Sequence, residues 1–74
     1  MDVRETFGAN LLRLRKAKNL SQEALAHEAG IDRTYVSALE RGIYSASIDM
    51  VAKLAKVLDV EPSALLTEKQ PRKR

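Results

Sequence analysis

The chain has no cysteine and no tryptophan, one phenylalanine, two tyrosines and a single histidine. Without cysteine there is no disulfide framework and no thiolate site, which fits a reducing, cytoplasmic setting. His27 has no second histidine or cysteine to share a zinc-type ion, so no metal and no cofactor is expected. It also lacks partners for the converging acid, base and nucleophile of an active site, so an enzyme is not expected. No apolar run approaches the roughly 20 residues that span a bilayer. The opening MDVRETFGAN carries acids early and lacks the apolar core of a signal peptide, so a soluble intracellular protein with no membrane partner is expected. Seventy-four residues make one small domain with little room for an enclosed pocket.

Positive charge is also scarcer than the net of +3 suggests. Lys69, Arg72, Lys73 and Arg74 supply four of the 13 basic residues, leaving nine against all 10 acidic ones in residues 1–68. The body of the chain is therefore close to neutral. Bulk charge is a poor argument for a polyanionic partner here. From Glu68 onward no apolar residue occurs, so 68–74 reads as a basic disordered tail behind a folded unit at 1–67. That tail can sweep phosphates or simply solubilise the chain end.

What the chain does have is helical periodicity, with no β-branched alternation that would suggest a strand. Asp2 and Glu5 are spaced as a capping box for a first helix, whose buried stripe is Phe7, Leu11 and Leu14, with Arg13, Lys16 and Lys18 outside. Asn19 suits the left-handed residue that ends it. Ser21 is an N-cap for a second helix, with Leu20 and Leu25 as a hydrophobic staple. That helix stops at Gly30, where positive φ has no steric cost. Ile31 returns to the core, and Asp32 caps a third helix with Val36 and Leu39 inside and Gly42 closing it. Ser47 caps a fourth, with Ile48, Val51, Leu54, Ala55 and Leu58 on one face. Pro62 takes the first position of a short fifth helix carrying Leu65 and Leu66. The expectation is an all-α, compact five-helix domain around one core.

Two short helices joined by a tight turn at Gly30, with polar residues opening the second, form the layout of a helix-turn-helix reader of the major groove. Arg33 and Thr34 open the third helix, and Ser37 and Ala38 lie one turn on. Together they offer a forked donor, hydroxyls and a methyl group, which suit guanine O6/N7, varied base edges and the thymine methyl. Gln22, with the free N–H groups of its helix start, can bind backbone phosphate. Tyr35 can add a phosphate contact through its hydroxyl or pack its ring against the second helix. Arg41 either reaches phosphate or complements the helix dipole.

The segment from Phe7 to about Leu66 resembles the Cro/phage-repressor (XRE) helix-turn-helix family. The residues that carry the likeness are Leu14 and Arg15, the run SQEALA at 21–26, Gly30-Ile31, and RTYVSALERG at 33–42. The resemblance implies a phosphate clamp at Gln22, base contacts at Arg33, Thr34, Ser37 and Ala38, and a partly buried structural salt bridge between Arg15 and Glu40. It departs from the family in the loop after the third helix, where Ile43-Tyr44-Ser45-Ala46-Ser47 replaces the usual basic residue and proline. Tyr44, Ser45 and the helix start at Ser47 remain there as neutral phosphate donors. In standard docking, Asp32 and Asp49 also lie near phosphate and cost affinity. The chain is similar too to the controller proteins of restriction–modification systems, a group within this family with a DRTYVS-type recognition helix.

The function implied is a sequence-specific regulator of transcription, a repressor or an activator, that binds double-stranded DNA. One recognition helix reads only a few base pairs, which calls for a two-fold homodimer on paired half-sites. Val60, Leu65 and Leu66 of the fifth-helix region are the candidate seam, or else Leu65 and Leu66 complete the core. An activator would add RNA polymerase as a partner. The competing class is a protein-interaction module such as an antitoxin. The short basic segment at 67–74 suits that role poorly.

Overall fold

The structure, a computed structural model, describes residues 2–68, so the tail assigned to 68–74 lies outside the described residues from 69 onward. Five helices follow in order: α1 (Val3–Ala17), α2 (Gln22–Ala29), α3 (Arg33–Glu40), α4 (Ile48–Leu58) and α5 (Pro62–Leu66). No strand occurs among the described residues.

Short side chains set most of the helix starts. Asp2 accepts a hydrogen bond from the Arg4 backbone N–H, Ser21 from that of Ala24, and Ser47 from that of Met50. The Arg4 amide bond, reinforced by the Arg4 side chain, holds the Asp2 carboxyl below the ordinary carboxylate range. That amide belongs to the second helical residue and Glu5 makes no return bond, so α1 carries a simple N-cap in place of the expected capping box. Asp32 is the N-cap of α3 by its extended backbone, but its side chain makes no capping bond, contrary to expectation.

The ends are set by left-handed residues. Asn19 (φ 60°) follows α1, and the Leu20 N–H closes back on the Arg15 carbonyl at 3.1 Å. Gly30 (φ 71°) follows α2, with the Ile31 N–H on the Ala26 carbonyl at 2.9 Å. These are the six-to-one bonds that satisfy terminal carbonyls. Asp59 (φ 59°) does the same for α4 without help from glycine.

The core is one cluster built from every helix: Phe7 and Leu11 of α1, Leu25, Ala26 and Ala29 of α2, Val36 and Leu39 of α3, Val51, Leu54, Ala55 and Leu58 of α4, and Leu65 of α5. Leu14, Leu20, Ile31, Tyr35 and Val60 pack on its margin. Two expectations are corrected here. Ile48 is 87% exposed, because at the first position of α4 it lies beyond the face that Val51 and Leu54 turn inward. Leu65 is fully buried, so it completes the core and is withdrawn from the dimer seam.

Candidate nucleic-acid interface

Three residues, Gly30 to Asp32, separate α2 from α3. The positive φ at Gly30 turns the chain sharply enough for Ile31 to reach the core margin, which angles α3 across α2. Val36 and Leu39 anchor the inner side of α3. Arg33, Thr34 and Arg41 are exposed and Ser37 is half-buried, so these four make one outward stripe at helical spacing.

Ala38 does not belong to that stripe. It is only 4% exposed and is withdrawn from the base-reading edge. It lies on the flank of α3 adjoining Tyr35, where the chain folds back after Gly42. There the Ile43 N–H donates to the Ala38 carbonyl at 3.0 Å, and the Tyr44 ring lies against Tyr35 with centroids 6.3 Å apart. Tyr35 is accordingly half-buried, with its ring beside Tyr44 and the core. Tyr44 and Ser45 are exposed in the loop after α3, and Ser47 is exposed at the start of α4.

The opposite side of α3 is held by an ion pair. Arg15 Nε donates to Glu40 Oε2 at 2.6 Å and Nη2 to Oε1 at 3.2 Å, with side chains only 9% and 5% exposed. Arg15 Nη1 also donates to the Leu20 carbonyl at 2.8 Å, tying the α1–α2 connection to the same fork. The pairing implied by the resemblance is therefore present, joining the last turn of α1 to the last turn of α3.

Gln22 is half-buried at the start of α2. Its Nε2 donates to Glu40 Oε1 at 2.9 Å, and its Oε1 accepts from Arg33 Nη1 at 3.4 Å. Arg41 turns its Nε back to the Ser37 carbonyl at 3.4 Å, and the Ser47 hydroxyl oxygen caps Met50 while its O–H is left to donate.

Sequence reasoning missed two residues that fix this arrangement. Gly8 lies where α1 crosses α3, and a Cβ there would stand 2.5 Å from the Leu39 carbonyl oxygen and 2.6 Å from that of Glu40. Asn10 is buried and donates through Nδ2 to the Leu65 and Thr67 carbonyls, each at 2.9 Å, which secures the end of α5 on α1. The available signal was a glycine and an asparagine inside an otherwise strong helix, both poor helix formers.

Among the described residues no group of histidine, cysteine or acidic side chains is arranged to hold a metal. Nor, among the described residues, is any helix long and apolar enough to cross a membrane. A shallow cleft of about 70 Å³ lies between α1, the loop after α3, α4 and the end of α5, lined mainly by Val3, Phe7, Tyr44, Val51 and Leu66.

The helix-turn-helix family model matches residues 11–65, which spans the Arg15–Glu40 pair, both motif helices and the supporting α4 and α5. The chain belongs to the helix-turn-helix family of Cro/phage-repressor type. Among this helix-turn-helix protein's relatives, control protein C.BamHI of Bacillus amyloliquefaciens is 42% identical over 66 residues, covering 88% of this chain and 82% of that protein. The crystal structure of the restriction-modification controller protein C.AhdI from Aeromonas hydrophila superimposes with a TM-score of 0.81 at 48% identity. That match covers 84% of this chain and 94% of the other. The biofilm master regulator SinR, whose crystal structure is in complex with DNA, gives a TM-score of 0.79 at 35% identity, covering 82% and 98%. The protein is thus similar to transcriptional regulators along nearly its whole folded length.

Proposed function

We propose that this helix-turn-helix protein is a sequence-specific transcriptional regulator that binds double-stranded DNA as a two-fold dimer, in the manner of a restriction–modification controller. The single observation that carries this reading is the outward stripe of α3. Arg33 and Thr34 stand clear at the helix start, backed by a fully buried inner face and a buried ion pair. A rigid helix with a forked donor and a hydroxyl at its exposed end suits base edges in the major groove.

Arg33, Thr34 and Ser37 read bases. Phosphates are met by Arg41, by Tyr44, Ser45 and Ser47 on one side of the helix, and by Gln22 with the start of α2 on the other. Tyr35 joins them through its hydroxyl, its ring being held by Tyr44. Phosphate contacts orient the protein without specifying sequence. The dimer seam uses Leu66, which is 47% exposed, with Val60 at its margin. The regulator acts in the cytoplasm by binding, without catalysis. Where its operator lies relative to a promoter decides between repression and activation, and an activator has RNA polymerase as a further partner.

Selection of binding sites from random duplexes tests the reading. The expected product is a two-fold symmetric site whose half-sites lie about 34–36 Å, one helical turn, apart. Enrichment of no sequence, or of a single isolated half-site bound tightly by a monomer, refutes it.

A further inference from the structure

Helices α1 to α4 each open on a short polar side chain, and α3 alone leaves it unused. Asp2, Ser21 and Ser47 accept from a backbone N–H of their own helix, whereas the Asp32 carboxylate makes no capping bond. In α2 and α4 the third helical amide donates to the hydroxyl oxygen of the cap. The equivalent amide in α3, that of Tyr35, donates to the Asp32 carbonyl at 3.1 Å and is already satisfied. No cation claims the side chain either, since among the described residues the ion pairs are Asp2–Arg4 and Arg15–Glu40. Asp32 is exposed and immediately precedes Arg33, so an unclaimed carboxylate stands at the open end of α3.

In a DNA interface such a carboxylate is costly unless a donor meets it. Phosphate oxygens, guanine O6 and N7 and thymine O4 are all acceptors, and each repels it. The donors of the major groove are the amino groups of adenine and cytosine. Adenine sets its N7 acceptor beside its amino group, whereas cytosine presents N4 alone. We propose that Asp32 is a specificity-determining residue, its carboxylate accepting from the N4 amino group of a cytosine in the same base pair as the guanine met by Arg33, or in the next one. The inference rests on the reading of α3 proposed above. Asp32 only accepts and Arg33 only donates, which matches the two halves of a G·C edge. The aspartate side chain is short, so it meets a base when α3 enters the groove start first. It acts largely by exclusion, because opposite any other base the carboxylate faces an acceptor without a compensating bond.

The test is binding-site selection from random duplexes with the unaltered protein and with Asp32→Asn. Asparagine keeps the shape of the side chain, and its amide carries both a donor and an acceptor, which suits adenine N6 and N7. The unaltered protein should select cytosine beside or opposite the guanine whose preference Arg33→Ala flattens. Asp32→Asn should lose about tenfold in discrimination there, the worth of one charge-assisted hydrogen bond, with adenine gaining and other positions unchanged. Its thermal midpoint should fall less than that of Ser21→Ala, which loses a working cap. Tighter binding of Asp32→Asn to every duplex, with the same preferences, overturns the proposal, because the carboxylate then only repels phosphate. A midpoint lowered as far as in Ser21→Ala also overturns it and makes Asp32 a helix cap. If the unaltered protein selects no sequence, base reading by α3 fails as a whole. A selected site whose preferences Asp32→Asn leaves unchanged overturns this inference alone.

Discussion

Replacing Arg15 by methionine should be among the most damaging single changes to this fold. The substitution removes three donated hydrogen bonds, two to Glu40 and one to the Leu20 carbonyl. It leaves a carboxylate that is 95% covered with only the Gln22 amide as partner. Stranding one member of a buried ion pair typically costs about 3–5 kcal/mol, more through the uncompensated charge than through the lost attraction. The high end applies here because the desolvated side chain is fixed by α1 and α3 and cannot reach water without moving a helix. For a domain of this size about 1 kcal/mol displaces Tm by roughly 4–8 °C, so a fall of at least about 12 °C is expected. Urea and thermal denaturation followed by circular dichroism measure it. The double variant Arg15→Met/Glu40→Met removes both charges and should recover most of the loss, since apolar replacement of a whole buried pair is often neutral. A loss below about 1 kcal/mol for Arg15→Met, or no recovery in the double variant, would refute the reasoning by showing that water reaches the pair.

Four further outcomes are expected. Gly8→Ala gains helix propensity but drives its methyl into two backbone carbonyls that cannot swing aside, so a net loss of about 1–2 kcal/mol should appear in urea unfolding. Asn10→Leu orphans the Leu65 and Thr67 carbonyls and should cost about 1–3 kcal/mol, with faster amide exchange concentrated in α5. Leu66→Glu should yield a monomer by sedimentation with its helix content intact, because Leu66 lies half outside the protomer's core; a persisting dimer would move the seam elsewhere. Arg33→Ala should cost about 1–3 kcal/mol on the selected site and flatten preference at particular bases, whereas a uniform loss across sequences would make Arg33 a phosphate contact.

The motif itself was legible because its signals are local. Ser21, Gly30 and Ser47 act on backbone groups within a few residues, so their chemistry announces helix ends without knowledge of the fold. The periodic apolar residues Leu11, Leu25, Leu39 and Leu54 point inward for the same reason. The errors cluster where a distant segment decides the environment. Ala38 has the spacing of a surface residue yet is 4% exposed, beside the point where the returning chain bonds its Ile43 N–H to the Ala38 carbonyl. Leu65 and Leu66 are adjacent and chemically identical, yet docking on α1 buries one and leaves the other exposed.

The order and bounds of the five helices, the turn at Gly30 and the family were therefore determined by the sequence alone, through caps, periodicity and spaced identities that need no third dimension. The tertiary structure decided what faces what. Gly8 is required because two backbones nearly touch, Asn10 because α5 must end on α1, and the Gln22 amide has one orientation because a buried carboxylate faces it. Each of these depends on groups far apart in the chain whose meeting is set by packing the common core, and a linear pattern carries no record of that meeting.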